Sequence, residues 1–304
     1  MCESDSKKRS FGDMQGSAWL SIEKASVFCE GLDHPEGLAM HPDGSIWAGG
    51  EAGQIYRVSS DGKEMVEVAN TGGFILGLAF SPNAEWLAVC DLLNRCVWRL
   101  DPGSGAISEF AGGAGGGDRF KIPNYATFAR DGTLYVSDSG TFRQVDGRIL
   151  RFDADHSGHG QVWHQGPFNF ANGLALSPGE AALYVVCSFD ASVERIEVAP
   201  DGRAGNRTLF ARLPRTVPDG LAFDEAGNLY VSCYAPNHLY RVMPDGKVEL
   251  LMDDWEAHTL SNPTNIAFGG SGFDQLFTAN LGRWHLTRID LGVEGARLAC
   301  HPLK

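Results

Sequence analysis

The stretch Ala171-Asn172-Gly173-Leu174-Ala175-Leu176-Ser177-Pro178 decides the fold, because it recurs along the chain. A second copy reads Pro218-Asp219-Gly220-Leu221-Ala222-Phe223-Asp224. Others begin at Pro35-Glu36-Gly37, Ile75-Leu76-Gly77, Pro123-Asn124-Tyr125 and Pro263-Thr264-Asn265. Successive starts lie 40, 48, 48, 47 and 45 residues apart. A self-similar period of that length is what one propeller blade of about four strands occupies.

Each copy is followed by a second β-prone run: Ile46-Trp47-Ala48, Leu87-Ala88-Val89, Leu134-Tyr135-Val136, Leu183-Tyr184-Val185, Leu229-Tyr230-Val231 and Leu276-Phe277-Thr278. Pairs such as Asp43-Gly44, Asp131-Gly132, Asp201-Gly202 and Asp245-Gly246 supply the positive φ that tight hairpins need. No helical periodicity separates the repeats. The expected fold is all-β, a single six-bladed β-propeller over residues 23–304 with roughly four strands per blade. The segment Ile22 to Cys29 is expected to complete the last blade and remove the open sheet edge. Residues 1–22 are too polar to pack and are expected to form a disordered tail.

The 38 glycines, set beside Asp, Asn and Pro, fit a turn-rich chain. A net charge of −13 and the absence of a basic cluster exclude a nucleic-acid binder; the one short basic run, Lys7 to Arg9, lies in the tail. The seven cysteines are an odd count without a spaced disulfide framework. No stretch resembles a signal peptide or a membrane span. Together these point to a cytoplasmic protein with no membrane partner, its oligomeric state open.

In a propeller the first strand of each blade lines the central channel, so equivalent positions form a ring about the axis. Just before the recurring glycine stand Glu36, Leu76, Asn124, Asn172, Asp219 and Thr264. Four of these six carry a carboxylate or an amide. Glu36, Asn124, Asn172 and Asp219 together make a hard, oxygen-only site of formal charge −2. That composition suits a divalent cation, Ca²⁺ first, then Mg²⁺ or Mn²⁺, with Zn²⁺ the poorest match. Taken singly, each residue is an ordinary turn former; their coincidence at one repeat position is the signal. A second ring, at the end of the second run, reads Gly50, Cys90, Asp138, Cys187, Cys233 and Asn280. The loops that follow contain Tyr234, Trp284 and His285, which with Asp138 are expected to wall a substrate pocket above the metal.

At these residues the sequence resembles the gluconolactonase family, which includes regucalcin-like senescence-marker proteins and luciferin-regenerating proteins. The matching stretches are His34-Pro35-Glu36-Gly37-Leu38-Ala39, the two copies quoted first, and Pro263-Thr264-Asn265-Ile266-Ala267-Phe268-Gly269-Gly270. The resemblance implies a six-bladed propeller, a divalent metal on Glu36, Asn124, Asn172 and Asp219, and the opening of a sugar lactone. The third repeat departs from the pattern. Where sugar-lactone members often carry Arg and Asp, this chain has Ile122 and Tyr125, with Lys121 one residue further back. Tyr125 and Lys121 are therefore expected at the substrate, and a less polar lactone is as well matched as an aldonolactone.

The expected chemistry is metal-assisted hydrolysis of a small-molecule lactone, with Asp219 as general base. There is no Gly-x-Ser-x-Gly nucleophile elbow. Gly112 to Gly117 lacks the strand–loop–helix context and the Lys-Ser/Thr of a phosphate loop, and reads as a flexible top-face loop. Asp153 to Gly158 begins like a calcium loop but has His164 at the twelfth position, and reads as a polar hairpin. Three alternatives share the fold: a strictosidine-synthase-like condensing enzyme, a protein-binding platform, and a metal-binding propeller without turnover.

Overall fold

Six four-stranded antiparallel sheets account for the 24 strands of the structure, a computed structural model that describes residues 18–155 and 157–303. The inner strands are Leu38–Met40, Ile75–Phe80, Pro123–Phe128, Ala171–Leu176, Val217–Phe223 and Pro263–Gly269. Each lies beside the second run identified from the sequence. The sixth sheet is built from Pro263–Gly269, Gln275–Asn280, His285–Asp290 and, on its outside, Ala25–Glu30. The N-terminal strand thus closes the ring and leaves the last blade no incomplete edge.

Packing between blades follows the repeat. The buried apolar residues fall into six clusters, each shared by two neighbouring blades. In several junctions an aromatic at or beside the second strand meets, edge to face, the phenylalanine that ends the next inner strand. Trp47 meets Phe80 at 5.7 Å, Trp86 meets Phe128 at 5.1 Å, Tyr184 meets Phe223 at 5.0 Å and Tyr230 meets Phe268 at 5.2 Å. Such pairs add roughly 0.5–1.5 kcal/mol each beyond burial. This is why the repeats carry an aromatic or leucine in these two places.

Glycine after the ring position lets neighbouring inner strands close on the axis. A Cβ on Gly173 would collide with the Asp219 carbonyl, and one on Gly220 with the Thr264 carbonyl. Blades three and six carry Tyr125 and Asn265 there instead.

The far end of the channel is closed by the C-terminal segment. Residues Ala296 to Cys300 cap a cavity of about 110 Å³ lined by inner-strand alanines, leucines and phenylalanines. Arg130 ties this strap down by donating to the carbonyls of Arg297 at 2.6 Å and His301 at 3.2 Å.

At the N-terminus the chain packs earlier than the sequence boundary at residue 22 suggested. Trp19 and Leu20 donate their amides to Leu250 and Leu251 of the fifth blade, and Arg241 stacks over the Trp19 ring at 4.4 Å. Residues 1–17, with the basic run and Cys2, lie outside the described residues. The glycine-rich run forms a compact turn, with Ala114 donating to the Asp118 carboxylate and Asp118 to the Gly115 carbonyl. The Asp153 to Gly158 segment is the turn between Gly147–Phe152 and Gly160–Phe168; His156 within it lies outside the described residues.

Candidate functional site

The pairing of inner with second strands is irregular at the ring position in five blades. In blade three, Pro123 pairs with Asp138 and Ala126 with Val136. In blade four, Ala171 pairs with Cys187 and Leu174 with Val185. The same break separates Ile75 from Leu78, Pro218 from Leu221 and Pro263 from Ile266. One extra residue on the inner strand makes a bulge, which re-aims side chains that a regular strand would point elsewhere. Asn124, Asn172 and Asp219 all stand on such bulges.

The four ring residues that carry a carboxylate or an amide are buried, between 3% and 6% exposed, deep enough that any unpaired polar atom counts. Two serines orient the amides. Ser139 Oγ accepts from Asn124 Nδ2 at 3.0 Å and donates to the Ala171 carbonyl at 2.6 Å. Ser188 Oγ accepts from Asn172 Nδ2 at 3.2 Å and donates to the Pro218 carbonyl at 2.8 Å. Each serine grips the NH₂ end of an amide, turning the oxygen end away, and fastens one inner strand to the next. Thr264 Oγ1 completes the circuit by donating to the Glu36 carbonyl at 2.7 Å.

Glu36 Oε2, Asn172 Oδ1 and Asp219 Oδ1 are buried without any hydrogen-bond partner. Each such atom costs about 1–3 kcal/mol. Burial raises Glu36 well above the usual carboxylate range, and the charge of Asp219 raises it further. Burial also lifts Asp219 to about 7, against a lowering contact from the Asn172 amide. Orphaned acceptors from blades one, four and five, with two carboxylates near enough to repel, form a donor set that a hard cation fits. Among the described residues no three His, Cys, Asp or Glu side chains cluster, which leaves this mixed carboxylate and amide set as the candidate. Asn265 Oδ1 is a further buried orphan acceptor, one residue beyond the ring position in blade six.

Several residues expected at the substrate stand elsewhere. Asp138 is fully buried and saturated: it accepts from the amides of Lys121, Ile122 and Gly140 and from Arg148 Nε. It is a structural knot, and its counterpart in blade two is Asp91. Asp91 pairs with Ile75 and accepts from the Phe74 and Asn94 amides, Asn94 Nδ2 and Trp98 Nε1. The second ring therefore holds Asp91 where the spacing had suggested Cys90, and only two cysteines. His285 lies on the third strand of its blade, buried, with Nε2 at 3.1 Å from the Thr259 carbonyl. Tyr125 is buried and lines the apolar cavity on the strap side of the ring; burial raises its hydroxyl pKa and the charge of Asp219 raises it further. Lys121 Nζ is engaged by Asp146 Oδ2 at 2.5 Å.

Trp284 and Tyr234 do remain exposed, at 55% and 37%. Trp284 packs on His34, ring centroids 5.3 Å apart, two residues before Glu36. Ser188 was missed by sequence reasoning. Its signal is positional: it follows Asn172 by 16 residues, as Ser139 follows Asn124 by 15.

Residues 76–280 match the family model described as SMP-30/Gluconolactonase/LRE-like region. The chain belongs to this family. Residues 29–58 also match a strictosidine synthase-like N-terminal model. Among relatives, a 6-deoxy-6-sulfogluconolactonase of Pseudomonas putida is 36% identical over 134 residues, 43% of this chain and 44% of that protein. The strictosidine synthase-like protein 6 of Arabidopsis thaliana is 28% identical over 281 residues, 86% of this chain and 68% of that one. The chain spans about half the length of the first curated relatives it matches. A gluconolactonase structure from Xanthomonas campestris superposes with a TM-score of 0.75 at 22% identity, covering 88% of this chain and 89% of that one, a likeness of fold.

Proposed function

We propose that this family member opens a lactone with water, using a divalent cation, Ca²⁺ first among candidates, held by Glu36, Asn124, Asn172 and Asp219. The observation that carries the reading is the set of three orphaned buried oxygens on Glu36, Asn172 and Asp219. Similarity to lactonases supports the reaction class. When bound, the cation supplies Lewis acidity and makes water more acidic.

The protein's own residues do the rest. Ser139 and Ser188 fix the amide oxygens of Asn124 and Asn172, so the donors are set before substrate arrives. Asp219 Oδ1, which no protein donor satisfies, accepts a proton from the water that attacks the lactone carbonyl. The ring C–O bond then breaks, its oxygen takes up a proton, and the products are a carboxylate and an alcohol on one chain. We place the reaction in the cytoplasm, a reading supported by the six described cysteines, all free.

Similarity to strictosidine synthase-like proteins favours a second reading, condensation chemistry on the same propeller. Elemental analysis followed by a lactone panel, with and without chelator, separates them. Lactone opening lost on chelation supports the hydrolase; turnover indifferent to chelator removes the cation, and no turnover of any lactone removes the hydrolase.

A further inference from the structure

Phe142, Phe170 and Phe189 form an aromatic cluster that neither the fold nor the cation site explains. Phe170 and Phe189 lie 4.7 Å apart at 32°, while Phe142 stands edge-on to Phe189 at 5.6 Å and to Phe170 at 6.2 Å. Phe142 is 59% exposed and Phe189 39%, in a chain whose other large apolar rings are mostly buried. Exposed apolar surface that is also rigid marks a place where something apolar binds.

The cluster is held rigidly. Phe170 has φ of +65°, a left-handed conformation that disfavours a bulky side chain. Such strain persists only where the surroundings enforce it. Here the amides of Ser188 and Phe189 donate to the carbonyls of Phe170 and Asn169, and Asn169 Nδ2 donates to Asp190 at 2.7 Å. The loop carrying Phe142 is closed by Asp146, which accepts from the Thr141 amide and hydroxyl and from Lys121.

Its place is equally specific. Phe189 follows Ser188, the serine that grips Asn172. Phe170 precedes Ala171, whose carbonyl is held by Ser139, the serine that grips Asn124. The aromatic cluster is therefore tied, through Ser188 and Ala171, to the amides proposed to hold the cation in blades three and four. Its three rings present apolar faces, with the Arg143 guanidinium over the Phe142 ring at 5.4 Å, and Ile122, where the family pattern often has arginine, packs into the apolar core of blades two and three.

Building on the lactone-opening reading, we infer that the substrate is a lactone whose ring carries an apolar alkyl or aryl substituent, seated on Phe142, Phe170 and Phe189.

The test compares δ-valerolactone with the same ring bearing a hexyl chain, in the wild-type protein and the double variant Phe142→Ser/Phe189→Ser. Wild-type kcat/KM should favour the hexyl lactone by about fiftyfold, the effect of half-burying the six carbons of the chain. That ratio should fall to within about threefold in the variant. The corresponding lactams, which resist opening, are titrated calorimetrically in parallel; the hexyl lactam should bind at least about tenfold more tightly to wild type. Lactone opening without a chain preference overturns the apolar substrate and leaves the hydrolase standing. A lactam preference without opening of any lactone overturns the hydrolase and keeps the apolar ligand. Loss of self-association or of phosphatidylcholine-vesicle binding in the variant, with no chain preference in wild type, assigns the cluster to a docking surface and overturns the inference.

Discussion

Replacing Asp219 by Asn should stabilise the cation-free protein and remove its response to calcium. Two carboxylates, Glu36 and Asp219, share one buried place. Asp219 is lifted from an ordinary value of 3.8 to about 7. Between those pH values the folded chain keeps a proton that the unfolded chain has released. Stability contributed by the neutral form is full below about pH 4 and lost as pH rises toward 7. A shift of about three units corresponds to about 4 kcal/mol at pH 8 as an upper figure. Asp219→Asn keeps the shape and removes the charge. Urea denaturation followed by tryptophan fluorescence, in chelator, should show the variant more stable than wild type by up to about 4 kcal/mol at pH 8, converging near pH 4. In saturating Ca²⁺ the gap at pH 8 should close, because a ligand at a thousandfold its Kd adds about 4 kcal/mol to the wild type and little to the variant. A variant less stable than wild type in chelator at pH 8, or stabilised equally by calcium, refutes the account of the charge.

Three further outcomes follow from the same contacts. Ser188→Ala frees the Asn172 amide to rotate, and Ca²⁺ affinity measured by calorimetry should fall about tenfold or more. Asp138→Ala leaves Arg148 and three backbone amides without their buried acceptor, and the loss in a denaturant titration should reach about 3 kcal/mol. His301, depressed to about 4 by burial and then by Arg297, His41 and Arg130, is held neutral in the fold. Its contribution, about 3 kcal/mol, is present above pH 6.5 and lost as pH falls toward 4, so His301→Gln should flatten the acid limb of stability against pH.

The blades were legible because each repeat carries its own turn chemistry and core residues, and six copies average out local ambiguity. Glu36, Asn124, Asn172 and Asp219 could be picked out because one repeat position meets the axis six times. What spacing could not show is the bulge at that position. One extra inner-strand residue changes which partner stands opposite, so Asp91 was displaced by Cys90. The bulge and the bend of the loops also decide direction. Tyr125 turns toward the strap, Asp138 turns inward to saturate backbone amides, and His285 falls on a third strand. Phe142 meets Phe170 and Phe189 only because loops of two blades come together, a contact with no trace in either repeat alone, whereas Ser188 does leave one, its spacing from Asn172. Trp19 and Leu20 sat in a polar stretch, and only the edge of the fifth blade gives them a place to pack.

Calorimetric titration of Ca²⁺ into chelator-treated protein, with lactone opening assayed at each point, tests the central claim most directly. One ion per chain, with turnover rising in step with occupancy, is the expected result. Full turnover before any ion binds, or no binding at all, would contradict it.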